Sequence, residues 1–192
     1  PIWTRLVGWG GSSRPVLLLE NSTAGFGKAA LPGKGLLEVV NWVPSRTPDN
    51  RTHGRECNAS VATGGNTAFG TGVLNVDITI NAGNPAAVGI ANDAAQGGAL
   101  RAMRFTLAPD ALAAVFTPGW SHSDLVFDGG RFGILLFYTT WHSLVRDCAF
   151  WRQTEAAIGW QTPAISPWEG VTLQRSWFGD MPTAVDARAC VG

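Results

Sequence analysis

Enzymatic cleavage of a glycosidic bond commonly uses two carboxyl groups held roughly 5–9.5 Å apart, one to protonate the leaving oxygen and one to attack or to activate water. The chain offers Asp77, Asp93, Asp124, Asp128, Asp147, Glu155, Glu169 and Asp180 for such work. Asp124 and Asp147 each open a copy of the same short block. If those blocks stack as strands ~4.8 Å apart, the two like charges meet and disfavour joint ionisation. Asp in that place equally caps a turn, so both readings are carried forward. His122 and His142 also lie about one block apart and could join Asp124 as metal ligands. They occupy different places relative to their blocks, which suits polar turn residues better, and no metal is expected.

Other chemistries find less support. No Gly-x-Ser-x-Gly or Cys-x-x-Cys occurs, which leaves Ser or Cys nucleophiles without their usual setting. Gly25-Phe26-Gly27-Lys28-Ala29-Ala30 has the glycine spacing of a dinucleotide fingerprint, but Pro32-Gly33 would stop the helix that must hold the pyrophosphate. It reads as a turn-rich loop, and no cofactor is expected. Cysteines at 57, 148 and 190 allow at most one internal disulfide. Cys148 lies in a strand-like segment, leaving Cys57–Cys190 or three free thiols.

The strands that would hold these residues form a repeat. The blocks are Asn75-Val76-Asp77-Ile78, Ala102-Met103-Arg104-Phe105, Asp124-Leu125-Val126-Phe127, Asp147-Cys148-Ala149-Phe150 and Arg175-Ser176-Trp177-Phe178. Their last residues, 78, 105, 127, 150 and 178, are separated by steps of 27, 22, 23 and 28, the coil length of a solenoid. Each coil carries a second apolar pair: Val88-Gly89-Ile90, Val115-Phe116, Gly133-Ile134, Ala157-Ile158 and Ala184-Val185. Alternation within a block puts its second and fourth side chains on one face, so Ile78, Phe105, Phe127, Phe150 and Phe178 are expected in one interior column.

The economical fold is all-β, a right-handed parallel β-helix of at least five coils in a single domain over 1–192. Residues 73–192 form the regular coils, and 1–72 hold irregular entry strands and a long loop near 44–72. Strands are expected at Leu6-Val7-Gly8, Val16–Leu19 and Leu36–Val40, and Pro109–Ala114 could make one helical turn.

Composition sets outer limits. The 192 residues are 45% hydrophobic and 15% charged, enough apolar material for a core and too little charge for disorder. Fourteen Lys+Arg balance fourteen Asp+Glu, which removes the electrostatic drive for nucleic acid or an anionic membrane surface. No apolar stretch approaches the ~20 residues of a membrane-spanning helix, and the chain reads as a piece of something larger. Nine Trp against one Tyr suit a core and a sugar-stacking surface equally. Asn21, Asn50 and Asn58 each begin an Asn-x-Ser/Thr site, consistent with secretion.

From Asn75 to Arg188 the sequence resembles the β-helix domains of the pectate-lyase-like superfamily. Within it, the sequence is most similar to the first of two β-helices in the exo-β-1,3-glucanases of glycoside hydrolase family 55, the laminarinase type. The residues that carry this are Leu74–Ile78, Gly83-Asn84-Pro85-Ala86-Ala87-Val88-Gly89-Ile90, Ala94–Leu100, Asp124–Gly133 and Glu155–Ile158. The resemblance implies an inverting hydrolase on β-glucan-like polysaccharide, with a cleft between two β-helices and the general acid supplied by the second. It implies that Gln96 positions the hydrolytic water; on this reading Asp93, a further catalytic candidate, lines the cleft with Trp120 and Trp141, and Thr117 and Ser121 are further substrate-binding candidates. Where the family has a water-holding Ser this chain has Pro118, with Thr117 and Ser121 nearby. A polysaccharide lyase or pectin-type hydrolase on the same scaffold would draw on Asp124, Asp147, Arg131 and Arg146. A non-catalytic carbohydrate-binding or adhesin-like solenoid is the third reading.

Overall fold

The computed structural model describes residues 5–9, 13–27, 34–39, 70–92, 97–117, 120–136, 142–160 and 170–186. The expected 44–72 loop lies almost wholly outside them.

Every described strand pairing is parallel. In chain order the strands are β1 (Arg5–Val7), β2 (Val16–Leu19), β3 (Lys34–Val39), β4 (Gly72–Leu74), β5 (Asp77–Ile80), β6 (Ala87–Asn92), β7 (Ala99–Leu107) and β8 (Ala113–Thr117). They continue as β9 (Trp120–Gly129), β10 (Phe132–Leu136), β11 (Ser143–Arg146), β12 (Ala149–Trp151), β13 (Ala156–Trp160), β14 (Val171–Gln174), β15 (Trp177–Gly179) and β16 (Val185–Asp186). No helix occurs among the described residues. Within Pro109–Ala114, expected to allow a helical turn, residues 109–111 instead make a tight turn closed by Ala111 N–H donating to Ala108 O, and Ala113 and Ala114 already belong to β8. The β-branched and aromatic residues that follow favour the strand.

Two sheets result. One has ten strands, with β1-β4-β7-β9-β11-β14 along its main path and β2, β5, β12 and β15 continuing the same passes. The other has six, in the order β3-β6-β8-β10-β13-β16. The chain visits the first sheet, then the second, and returns one strand further along, so hydrogen-bonded neighbours come from successive repeats of the sequence.

Register explains why the repeat has the form it does. Leu17, Ile78, Phe105, Phe127, Phe150 and Phe178 pair in an unbroken row, as the spacing predicts. Phe105, Phe127 and Phe150 are fully buried, and the rings stack at 5.3, 4.5 and 5.1 Å between centroids down to Phe178. On the second sheet Ile90, Val115, Ile134, Ile158 and Val185 form the matching row. The sheets approach so closely that a Cβ on Gly89 would stand 3.1 Å from Phe105 Cδ1, and one on Gly133 2.7 Å from Phe150 Cδ1. Glycine there is a packing requirement of the aromatic row.

Each block's first residue turns out to be a corner. Asn75, Ala102, Asp124, Asp147 and Arg175 all have φ between 45° and 57°, in the left-handed region. Asn and Asp tolerate this conformation best, because their short polar side chains can bond the local backbone. Asn75 Nδ2 donates to Gly8 O at 2.9 Å, tying the corner of one pass to the next.

Candidate functional site

The residues singled out for catalysis and binding belong to connections that run from the end of a second-sheet strand to the start of a first-sheet strand. Asp93 and Gln96 follow β6, which ends at Asn92, and precede β7; both lie outside the described residues, as does Trp141, which precedes β11. Thr117 ends β8, paired with Leu136, and Trp120 begins β9, paired with Ser143. Ser121 is half-buried between Ala99 and Leu144 in the register, and its N–H donates to Gly98 O at 3.4 Å. Parallel stacking therefore gathers the flanks of all the predicted site residues along one edge, where successive strand ends line up.

The carboxylates of the described residues are mostly committed elsewhere. Asp77 bonds Arg14 at 2.8 Å, Asp124 bonds Arg101 at 3.1 Å, and Asp128 receives Arg152 in a bidentate fork at 2.6–2.9 Å. Arg175 donates to both oxygens of Asp147 at 2.7 and 2.8 Å, and Arg131 to Glu155. Each pair spans neighbouring passes and ties them together on the outer surface. This corrects the expectation for Asp124 and Asp147. Their charges are not left to repel each other, because each has its own arginine, and the hydrogen bond from Arg175 holds the Asp147 carboxyl below its ordinary range. Both sit at left-handed corners of the backbone, with their carboxylates on arginines of neighbouring passes.

The possible metal set does not assemble. His122 is fully buried in the row Leu100–His122–Val145, while His142 is exposed with its Nε2 on Thr172 Oγ1 and Asp124 points outward. Among the described residues no three His, Cys, Asp or Glu side chains could share a metal ion. Neither ring nitrogen of His122 has a partner, nor does the buried Ser143 Oγ. Burial without a partner lowers the His122 pKa to about 4. Cys148 lies inside too, its thiol contacting the carbonyls of His122 and Arg146 at 3.7 and 3.3 Å, and burial pushes it up to about 11. It is an inert core thiol. Cys57 and Cys190 lie outside the described residues.

Buried amides hold the corners on the far side. Gln153 Nε2 donates to Phe127 O and Gly129 O at 3.2 and 3.0 Å. Asn84 Nδ2 donates to Glu20 O and Asn81 O, while its Oδ1 accepts from Thr23 N–H. Sequence reasoning passed over these residues, and also an exposed indole pair, Trp151 and Trp177, which sits at outward positions of the repeat that the apolar pattern does not mark. The Gly25–Gly27 segment is a turn with Phe26 buried beneath Lys34.

Set against family models, curated proteins and solved structures, the chain gives no match.

Proposed function

We propose that the chain is a right-handed parallel β-helix domain of a secreted glycoside hydrolase that cleaves β-glucan-like polysaccharide with inversion. The observation that carries this reading is the shared edge. The flanks of Asp93, Gln96, Thr117, Trp120, Ser121 and Trp141 fall on one line of strand ends, the arrangement that lets a rigid stack display loops along an extended polymer. Gln96 orients the attacking water, Asp93 accepts its proton, and the tryptophans stack against sugar rings.

An inverting reaction also needs an acid to protonate the leaving oxygen. Asp77, Asp124, Asp128, Asp147 and Glu155 are each engaged by an arginine of a neighbouring pass, so none of them stands free for that role. In this reading the acid comes from a second β-helix domain of the same parent polypeptide, as the resemblance implies. The same pairs weaken the lyase reading, because Asp124, Asp147 and Arg131 are engaged with Arg101, Arg175 and Glu155 and leave no open carboxylate cluster for Ca²⁺. Asn21, in an exposed turn, is accessible to glycosylation, in keeping with secretion.

Laminarin is the substrate for the test. The chain joined to its second domain should release sugar of inverted anomeric configuration, and Gln96→Ala should lower kcat far more than it raises KM, since a water-orienting contact acts mainly in the transition state. Binding of laminarin with no release by the two-domain protein would replace this reading with the non-catalytic solenoid.

A further inference from the structure

The outer face of the ten-stranded sheet carries a feature far from the candidate edge. Trp151 and Trp177 lie on adjacent passes, with ring centroids 3.4 Å apart and planes tilted by 48°. They remain 39% and 46% exposed. Trp151 is no end effect, since β12 has β9 on one side and β15 on the other. Leu173 and Val185 are exposed for a different reason: they continue interior rows at the last pass. The indoles instead occupy outward positions. A Cβ on Gly179 would come within 2.9 Å of Trp151 Cζ3 and closer still to Trp177 Cη2, so the ring pair fills space that only glycine leaves open.

Beside the rings stands a fixed polar group. Asp128 pairs with Trp151 across the strands, and its carboxylate is gripped by Nε and Nη2 of Arg152. Nη1 takes no part in that fork, and the Arg152 side chain is 64% exposed. The guanidinium is thus pre-oriented with donors to spare, and its charge is cancelled by Asp128.

We infer that Trp151, Trp177 and Arg152 form a docking platform for a neutral polysaccharide, separate from the catalytic edge and independent of whether that edge is active. The apolar C–H face of a pyranose ring matches an exposed indole, and its hydroxyls match the spare guanidinium donors. By themselves the two indoles are too small a face for a stable protein interface. At their exposures the two indoles offer on the order of 200 Å², against ~800 Å² per partner in a stable protein interface. Neutralisation of Arg152 by Asp128 disfavours uronate polymers, which need an unpaired cation.

The test is affinity electrophoresis of the 192-residue chain in gels containing laminarin, xylan, glucomannan or polygalacturonate. At least one of the three neutral polymers should retard the chain, and polygalacturonate should not. Trp151→Ala and Trp177→Ala should each weaken retardation at least tenfold, while Trp9→Ala, at an indole 96% exposed at the other end of the sheet, should leave it unchanged. Circular dichroism confirms folding. If Trp151→Ala fails to fold, Trp177→Ala decides alone, because it lies on an edge strand that loses little packing. No retardation by any neutral polymer, retardation indifferent to Trp177, or a dimer in sedimentation that Trp177→Ala abolishes would each overturn the platform. Hydrolysis of a short laminari-oligosaccharide by the two-domain protein should be insensitive to Trp177→Ala and sensitive to Gln96→Ala, which separates failure of the platform from failure of the catalytic edge.

Discussion

His122 is the residue at which the core departs most from apolar chemistry, and its consequence is a pH dependence. Its folded pKa of about 4 lies below the ordinary 6.5, so between those values the unfolded chain binds the extra proton. Stability from the neutral buried ring is complete above pH 6.5 and is lost as pH falls toward 4, by about 3 kcal/mol in all. Thermal melting followed from pH 7 to pH 4 should show Tm falling across that window, and His122→Leu should flatten the slope, since Leu100 and Val145 already flank the site. A slope unchanged in His122→Leu would place the titrating group elsewhere. Asp147 acts in a separate range: its depressed carboxyl keeps the Arg175 pair intact until pH drops below the ordinary 3.8. His122 was legible in the sequence as a residue and illegible as a role. Its neighbours in sequence, Ser121 and Ser123, are polar, and only the register places it in an interior row.

Elements were far more legible. Alternation inside the repeated block located the aromatic row, because a period of two admits only one inward set per strand. Phe127, with stacked rings above and below, should cost ~3–5 kcal/mol as Phe127→Ala, measured by urea denaturation. The corner at each block's first residue was less legible, since Asn, Ala, Asp, Asp and Arg share no obvious property. Their common feature is a backbone angle. Ala102 holds φ 53° without a side chain that eases it, a strain of about 1 kcal/mol. Ala102→Asn should therefore raise Tm by a few degrees, and a drop would show that the stack around the corner has no room for an amide. Around the tight turn at 109–111 the alanines favour helix locally, whereas pairing of β8 with β6 and β10 favours the strand.

At the scale of the molecule, parallel stacking explains both what is stable and what is displayed. Rows of Ile and Phe hold the sheets together, arginine–carboxylate pairs lace neighbouring passes on the outside, and the strand ends bring scattered sequence positions to one edge. That edge could be anticipated from the repeat, because residues one coil apart must become neighbours. The indole pair at 151 and 177 could not, since outward positions carry no apolar pattern and its distinction is geometric. The proposed function turns on whether the edge after the second-sheet strands engages a β-glucan chain. Amide chemical-shift mapping of the 192-residue chain with laminarihexaose tests it most directly. Shifts are expected at Asn92, Gly97, Gly98, Thr117 and Ser121, at the ends of β6 and β8 and the starts of β7 and β9. Saturating oligosaccharide that moves none of these amides, whether or not it moves those around Trp151 and Trp177, would contradict it.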